Sequence, residues 1–153
     1  MLLLNESLNA EIRSHGAKDY PNETCGAMLG TDGSGNAGSG EPAREVKGLF
    51  PLTNRRDDSP RNRFSVTAED VRAAERAATA SGLELIGWYH SHPDHPARPS
   101  EYDREHAWPW YSYVIVSVAA GKPQDMTSWL LAADRAQFHE EQIERPVAAP
   151  PAK

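Results

Sequence analysis

The chain has 153 residues, a formal net charge of −6 and a single cysteine, Cys25. That length suits one domain with a real core. About two-fifths of the residues are apolar and a quarter charged, an ordinary soluble composition. The acidic balance argues against a nucleic-acid-binding surface, and one cysteine excludes an internal disulfide, so a reducing compartment is expected. Met1-Leu2-Leu3-Leu4 has no basic residues before it and does not read as a secretory leader. No run approaches the ~18 apolar residues of a membrane span, and the expectation is a cytoplasmic protein.

In chain order, Leu4, Leu8 and Ile12 recur every four residues and predict an amphipathic helix, with Asn5 or Ser7 as its cap and Gly16 as its end. Thr24 to Gly30 reads as a buried strand. Asp32 to Arg44 is rich in Gly and Ser and is expected to be a flexible hairpin connection, since such composition does not pack. A second strand is expected over Glu45–Asn54, followed by a charged loop over Arg55–Arg63. Arg55, Arg56, Arg61 and Arg63 there form a solvated loop or frame a groove for a substrate.

Thr67 fits a helix N-cap with Asp70 completing a capping box, and the helix is expected to run to Ser81 and stop at Gly82. Further strands are expected over Leu83–Tyr89, Tyr111–Ala119 and Thr127–Ala132, with a proline-rich loop at 90–100 and a short helix over Glu101–His106. The Pro/Ala-rich end, 146–153, is expected to be disordered. Strands alternating with helices predict an α/β or α+β class with a mixed sheet, in one domain spanning 1–145.

The informative stretch is Gly87-Trp88-Tyr89-His90-Ser91-His92-Pro93, followed by Ser100-Glu101-Tyr102-Asp103. Strand side chains alternate, so His90 and His92 point the same way and Ser91 the other. Two imidazoles on one rigid edge begin a zinc site, and Asp103, in the first turn of the short helix, is a compatible third ligand. Three protein ligands leave the fourth tetrahedral position open for water, which is the mark of a catalytic site.

His90-Ser91-His92, seven residues, Ser100, two residues, Asp103 matches the motif of the JAMM (MPN+) metalloproteases. Pro21-Asn22-Glu23-Thr24-Cys25-Gly26 is similar to that family's glutamate-bearing segment. The resemblance extends over roughly residues 4 to 133, and the chain looks most like the short bacterial members. It implies a JAB1/MPN-like mixed sheet flanked by helices, of cytidine-deaminase-like architecture. It implies Zn2+ held by His90, His92 and Asp103, with Glu23 as the general base and then acid for the attacking water. It gives Ser100 a hydrogen bond to the oxyanion; Ser100 could also simply cap the helix carrying Asp103. The implied activity is hydrolysis of amide or isopeptide bonds at the C-terminus of a ubiquitin-like protein, with a sulfur carrier as the expected partner. Neither a nucleic acid nor a membrane is expected as partner.

The alternatives are bland or excluded. Inactive scaffold relatives lack one or more ligands, whereas all are present here. A zinc deaminase needs a Cys-x-x-Cys that one cysteine cannot supply, and a His-x-His barrel hydrolase needs ~250 residues. Cys25 reads as core filling rather than a nucleophile. His95 lies in the motif loop and could compete as a ligand, while His15, His106 and His139 read as structural or solvated. Trp88, Trp108, Trp110 and Trp129 fill core or line the edge of the site.

Overall fold

The computed structural model describes residues 1–36, 42–52 and 66–146. In chain order the elements are β1 (Leu2–Leu3), α1 (Glu6–Asp19), β2 (Cys25–Asn36), β3 (Pro42–Leu52), α2 (Ala68–Ala80), β4 (Glu84–Pro93), α3 (Glu101–His106), β5 (Ser112–Ala119), β6 (Lys122–Leu131), β7 (Phe138–Glu141) and β8 (Ile143–Glu144). This is the expected mixed α/β class. One sheet runs in the order β7-β6-β5-β4-β2-β3-β1-β8. It is antiparallel except for the β4–β5, β1–β3 and β1–β8 pairs.

Gln142 alone separates β7 from β8, yet these strands stand at opposite ends of that order. The peptide N–H groups of Leu2 and Leu4 donate to Gln142 O and Glu144 O, both at 2.8 Å. The final strand segment therefore bridges the two ends and rolls the sheet closed, covering backbone that would otherwise be left open to pairing.

Each face of the sheet carries one long helix. On one face Ile12 of α1 packs with Leu2, Leu4, Met28, Tyr89, Val114 and Val116. On the other, Ala74 and Ala78 of α2 pack with Ala27, Leu85, Trp88 and Tyr113. A register shift sets Met28 opposite Gly87 and Leu29 opposite Leu85, skipping Ile86. This bulge exchanges the faces of β4: Leu85 and Trp88 lie on the α2 side, whereas Ile86 and Tyr89 lie on the α1 side.

Several boundaries differ from those read in the sequence. Asn5 is the N-cap of α1, its side chain accepting from Leu8 N. The helix passes through Gly16 and ends at Asp19, and Gly16 is buried where the helix lies close against the sheet. A Cβ there would stand 3.1 Å from Val118 Cγ2 and 3.5 Å from Ser91 Cβ. Leu4 precedes the helix, and Leu2 and Leu3 form an unforeseen strand. The first hairpin extends to Asn36 and restarts at Pro42, because ladder pairing takes up much of the Gly/Ser-rich stretch. Residues 37–41, the arginine-bearing loop at 55–63 and the chain end 147–153 lie outside the described residues. The α2 capping box between Thr67 and Asp70 is present, and β4 runs on through both histidines to Pro93.

Candidate metal centre

The motif residues meet at the C-terminal end of β4. His90 and His92 are 2 % and 8 % exposed, with Nε2 atoms 3.1 Å apart. Asp103 Oδ2 stands 3.4 Å from Nε2 of His90 and 3.2 Å from Nε2 of His92. The three atoms form a nearly equilateral triangle. A tetrahedral zinc with bonds of about 2.0–2.1 Å needs ligand atoms about 3.3–3.4 Å apart, so these donors fit the ion. A carboxylate oxygen of buried Glu23 and one ring nitrogen from each histidine all lie within 4.8 Å of one another.

The chain orients each donor locally. Pro96 O lies 2.8 Å from His92 Nδ1. A carbonyl can only accept, so Nδ1 carries the proton, and the lone pair of the neutral ring sits on Nε2, facing the triangle. The loop providing that carbonyl is bolted at several points. Ser117 Oγ donates to His95 O at 2.6 Å, and Thr127 Oγ1 donates to Ala97 O at 2.7 Å. Asp94, at φ +58°, accepts from Tyr20 OH and from Ala120 N.

Asp103 occupies the third position of α3 in a reciprocal capping box. Ser100 Oγ accepts from Asp103 N, and Ser100 N donates to Asp103 Oδ2 at 2.9 Å. Burial alone would raise the Asp103 carboxyl. Protons on the Nε2 atoms of His90 and His92, whose place a bound cation would take, outweigh it through the His90 charge and hydrogen bonds from both rings, together with the Ser100 N–H, and hold the group well below the usual carboxylate range. Asp103 therefore stays anionic, the form that binds a cation. The cap means that Ser100 has a structural duty whatever else it does.

Glu23 is held from the opposite face. Ser91, pointing away from the triangle as strand alternation requires, accepts from Thr24 N at 2.8 Å, while Ser91 N donates to Thr24 O. Thr24 Oγ1 donates to Asp19 Oδ2 at 2.7 Å. Asp19 also lies 3.2 Å from His15 Nε2, and His15 Nδ1 lies 2.8 Å from Tyr89 OH. His15, read from sequence as structural or solvated, thus belongs to a chain linking α1 to the strands of the site. The outward-pointing Ser91 was the one visible signal of this scaffold, and its partner was not legible.

The other candidates fall away from the triangle. Cys25, 1 % exposed, pairs with His90 across β2 and β4 and is buried outside any disulfide. His106 stacks on Tyr102 with centroids 4.0 Å apart, His139 lies exposed on β7, and His95 is exposed in the motif loop. Trp88 is core, whereas Trp108 and Trp110 are 63 % and 49 % exposed. They rim a groove of about 970 Å3 reaching His90 and Asp103. A smaller cavity of about 290 Å3 lies against Glu23, His92 and Ser100.

A rolled mixed sheet between two helices, with this donor set at the end of its central parallel strand, defines the JAB1/MPN class. The chain belongs to the family described as prokaryotic homologs of the JAB domain, whose model matches residues 5–132. It is 33 % identical over 113 residues to a desampylase of Haloferax volcanii, covering 73 % of this chain and 74 % of that protein. It is 31 % identical over 115 residues to a probable TtuB-protein conjugate cleaving protease of Thermus thermophilus, covering 75 % and 69 %. A solution structure of a Salinibacter ruber protein aligns with 100 % of this chain and 96 % of its own at 45 % identity and TM-score 0.71. A JAB1/MPN domain protein from Archaeoglobus fulgidus aligns at TM-score 0.53 and 17 % identity over 89 % and 91 %, a likeness of fold alone.

Proposed function

We propose that this protein is a zinc-dependent metallopeptidase that hydrolyses amide or isopeptide bonds at the C-terminal tail of a ubiquitin-like protein, a sulfur carrier being the expected class. The observation that carries the reading is the triangle of His90 Nε2, His92 Nε2 and Asp103 Oδ2, with edges of 3.1–3.4 Å beside a buried glutamate. The relatives named as a desampylase and as a conjugate-cleaving protease support the substrate class.

His90, His92 and Asp103 would hold the ion. Zinc bound there supplies Lewis-acid chemistry, polarising a water and the scissile carbonyl. Glu23 takes a proton from the attacking water as the water oxygen bonds to the carbonyl carbon. The same proton passes to the nitrogen as the C–N bond breaks, leaving a carboxylic acid and an amine. Ser100 donates its hydroxyl to the oxyanion, an interaction worth about 10²–10³ in rate where single donors have been removed. The extended tail lies in the open groove beside His90 and Asp103.

Glu23→Gln keeps the shape of the site and removes the base. The expected result is unchanged zinc content with cleavage of a carrier-tail conjugate abolished. Retained turnover would eliminate Glu23 as the proton carrier. A purified wild-type chain that takes up no zinc would instead favour a binding scaffold of the same fold.

A further inference from the structure

The two cavities beside the triangle are unequal in size and in chemistry. The groove of about 970 Å3 touches the triangle through His90 and Asp103 and is rimmed by Trp108, Trp110 and Tyr102. The cavity of about 290 Å3 touches it through His92, and Glu23 and Ser100 line it. The remaining walls of the small cavity are Pro93, His95, Pro96 and Arg98.

The hydrolase reading above, on which this inference rests, gives Glu23 the proton destined for the leaving nitrogen. That nitrogen must come within about 2.6–3.2 Å of the Glu23 carboxylate or reach it through one water. The departing amine therefore belongs to the small cavity, and the acyl tail to the aromatic groove. Glu23 is the only carboxylate among the described residues lining the small cavity, whereas Arg98 gives it a fixed positive charge. Arg98 is exposed, and its guanidinium forms no ion pair among the described residues. Its backbone is anchored by Arg98 N donating to Pro96 O at 2.8 Å, on the same bolted loop that orients His92.

We propose that the small cavity is the leaving-group subsite and that Arg98 is a specificity-determining residue selecting a carboxylate next to the departing amine. A guanidinium matches a carboxylate with two parallel hydrogen bonds and has no such match to a neutral amide. That carboxylate has two possible sources: the α-carboxylate of a single C-terminal residue, or an acidic side chain beside a conjugated lysine.

Four peptide substrates separate these sources. Two carry the carrier tail joined to one terminal residue, ending either in a free α-carboxylate or in an α-amide. Two carry the tail joined through an isopeptide bond to a lysine in a blocked peptide, flanked by Glu or by Gln. With the zinc-loaded full chain, kcat/KM is expected to favour the carboxylate member of at least one pair by roughly 10- to 100-fold, as for a hydrogen bond to a charged group. The pair showing the preference identifies the source. Arg98→Gln is expected to collapse that ratio toward unity, and Arg98→Lys to retain part of it. Equal turnover of both members of each pair by wild type, or a preference surviving in Arg98→Gln, overturns this assignment while leaving the hydrolase reading intact. No cleavage of any of the four by zinc-loaded wild type overturns both.

Discussion

Ser91 Oγ accepts a 2.8 Å hydrogen bond from the backbone N–H of Thr24, so the strand that presents the two imidazoles also grips the residue following Glu23. Both partners are buried, and Ser91 N returns a bond to Thr24 O. This pair fixes the backbone beside Glu23, the proposed base, against the backbone between His90 and His92, the proposed ligands. Ser91→Ala leaves a buried N–H without its acceptor, at a stability cost of about 1–3 kcal/mol. It also frees Glu23 to drift, and a misplacement of about 1 Å can lower the rate by roughly 10²-fold. The expected result is a kcat reduced by roughly 10- to 100-fold with KM and zinc content little changed. Steady-state kinetics with metal analysis checks it, and a rise in KM with unchanged kcat would contradict the positioning role.

Much of this site was legible because its signals are local. The His-x-His pair needs only strand alternation, and the Ser100/Asp103 and Thr67/Asp70 caps need only helix-start chemistry. The unforeseen parts depend on distant partners. Leu2 and Leu3 form a strand because residues 44–45 and 143–144 lie on either side of them, and two residues show no periodicity of their own. Strands β7 and β8 are short and polar, and only their neighbours make them strands. Gly16 looked like a stop signal, but the close approach of α1 to Val118 explains it better. The skipped Ile86, which swaps the faces of β4, left no mark that alternation could reveal.

Ser100 caps α3 and, in the proposed mechanism, also donates to the oxyanion, and substitution can separate the two. As the N-cap of α3 it accepts from Asp103 N and holds Asp103 Oδ2 through its own N–H. As an oxyanion donor it needs a hydroxyl facing the small cavity. Ser100→Ala removes both and is expected to cost about 1 kcal/mol of stability and about 10²–10³ in kcat. Ser100→Asp restores a side-chain acceptor of similar capping strength but as a carboxylate has no hydrogen to donate, so stability should recover while activity stays low. Full activity in Ser100→Asp, measured alongside chemical denaturation, would reduce Ser100 to a cap.

His15 links α1 to the strands of the site and supplies a pH dependence of stability. Its Nε2 faces the Asp19 carboxylate, so the neutral ring carries its proton there and accepts from Tyr89 OH at Nδ1. Burial pushes the Tyr89 hydroxyl up from its ordinary value, keeping it a neutral donor. Burial pushes His15 below its ordinary value of 6.5; the Asp19 charge opposes this without cancelling it, and Lys18 adds to it. The unfolded chain therefore binds a proton at pH values where the folded chain does not, and stability falls as pH drops through about 6.5 until the folded ring also protonates. Replacing His15 with Gln removes this titration. At pH 7 the variant should be less stable than wild type, for loss of the Tyr89–His15–Asp19 chain, and the gap should narrow as pH is lowered toward 5. Thermal melts of both proteins across that range measure the gap directly, and one that stays constant with pH would show that His15 does not titrate between the folded and unfolded states.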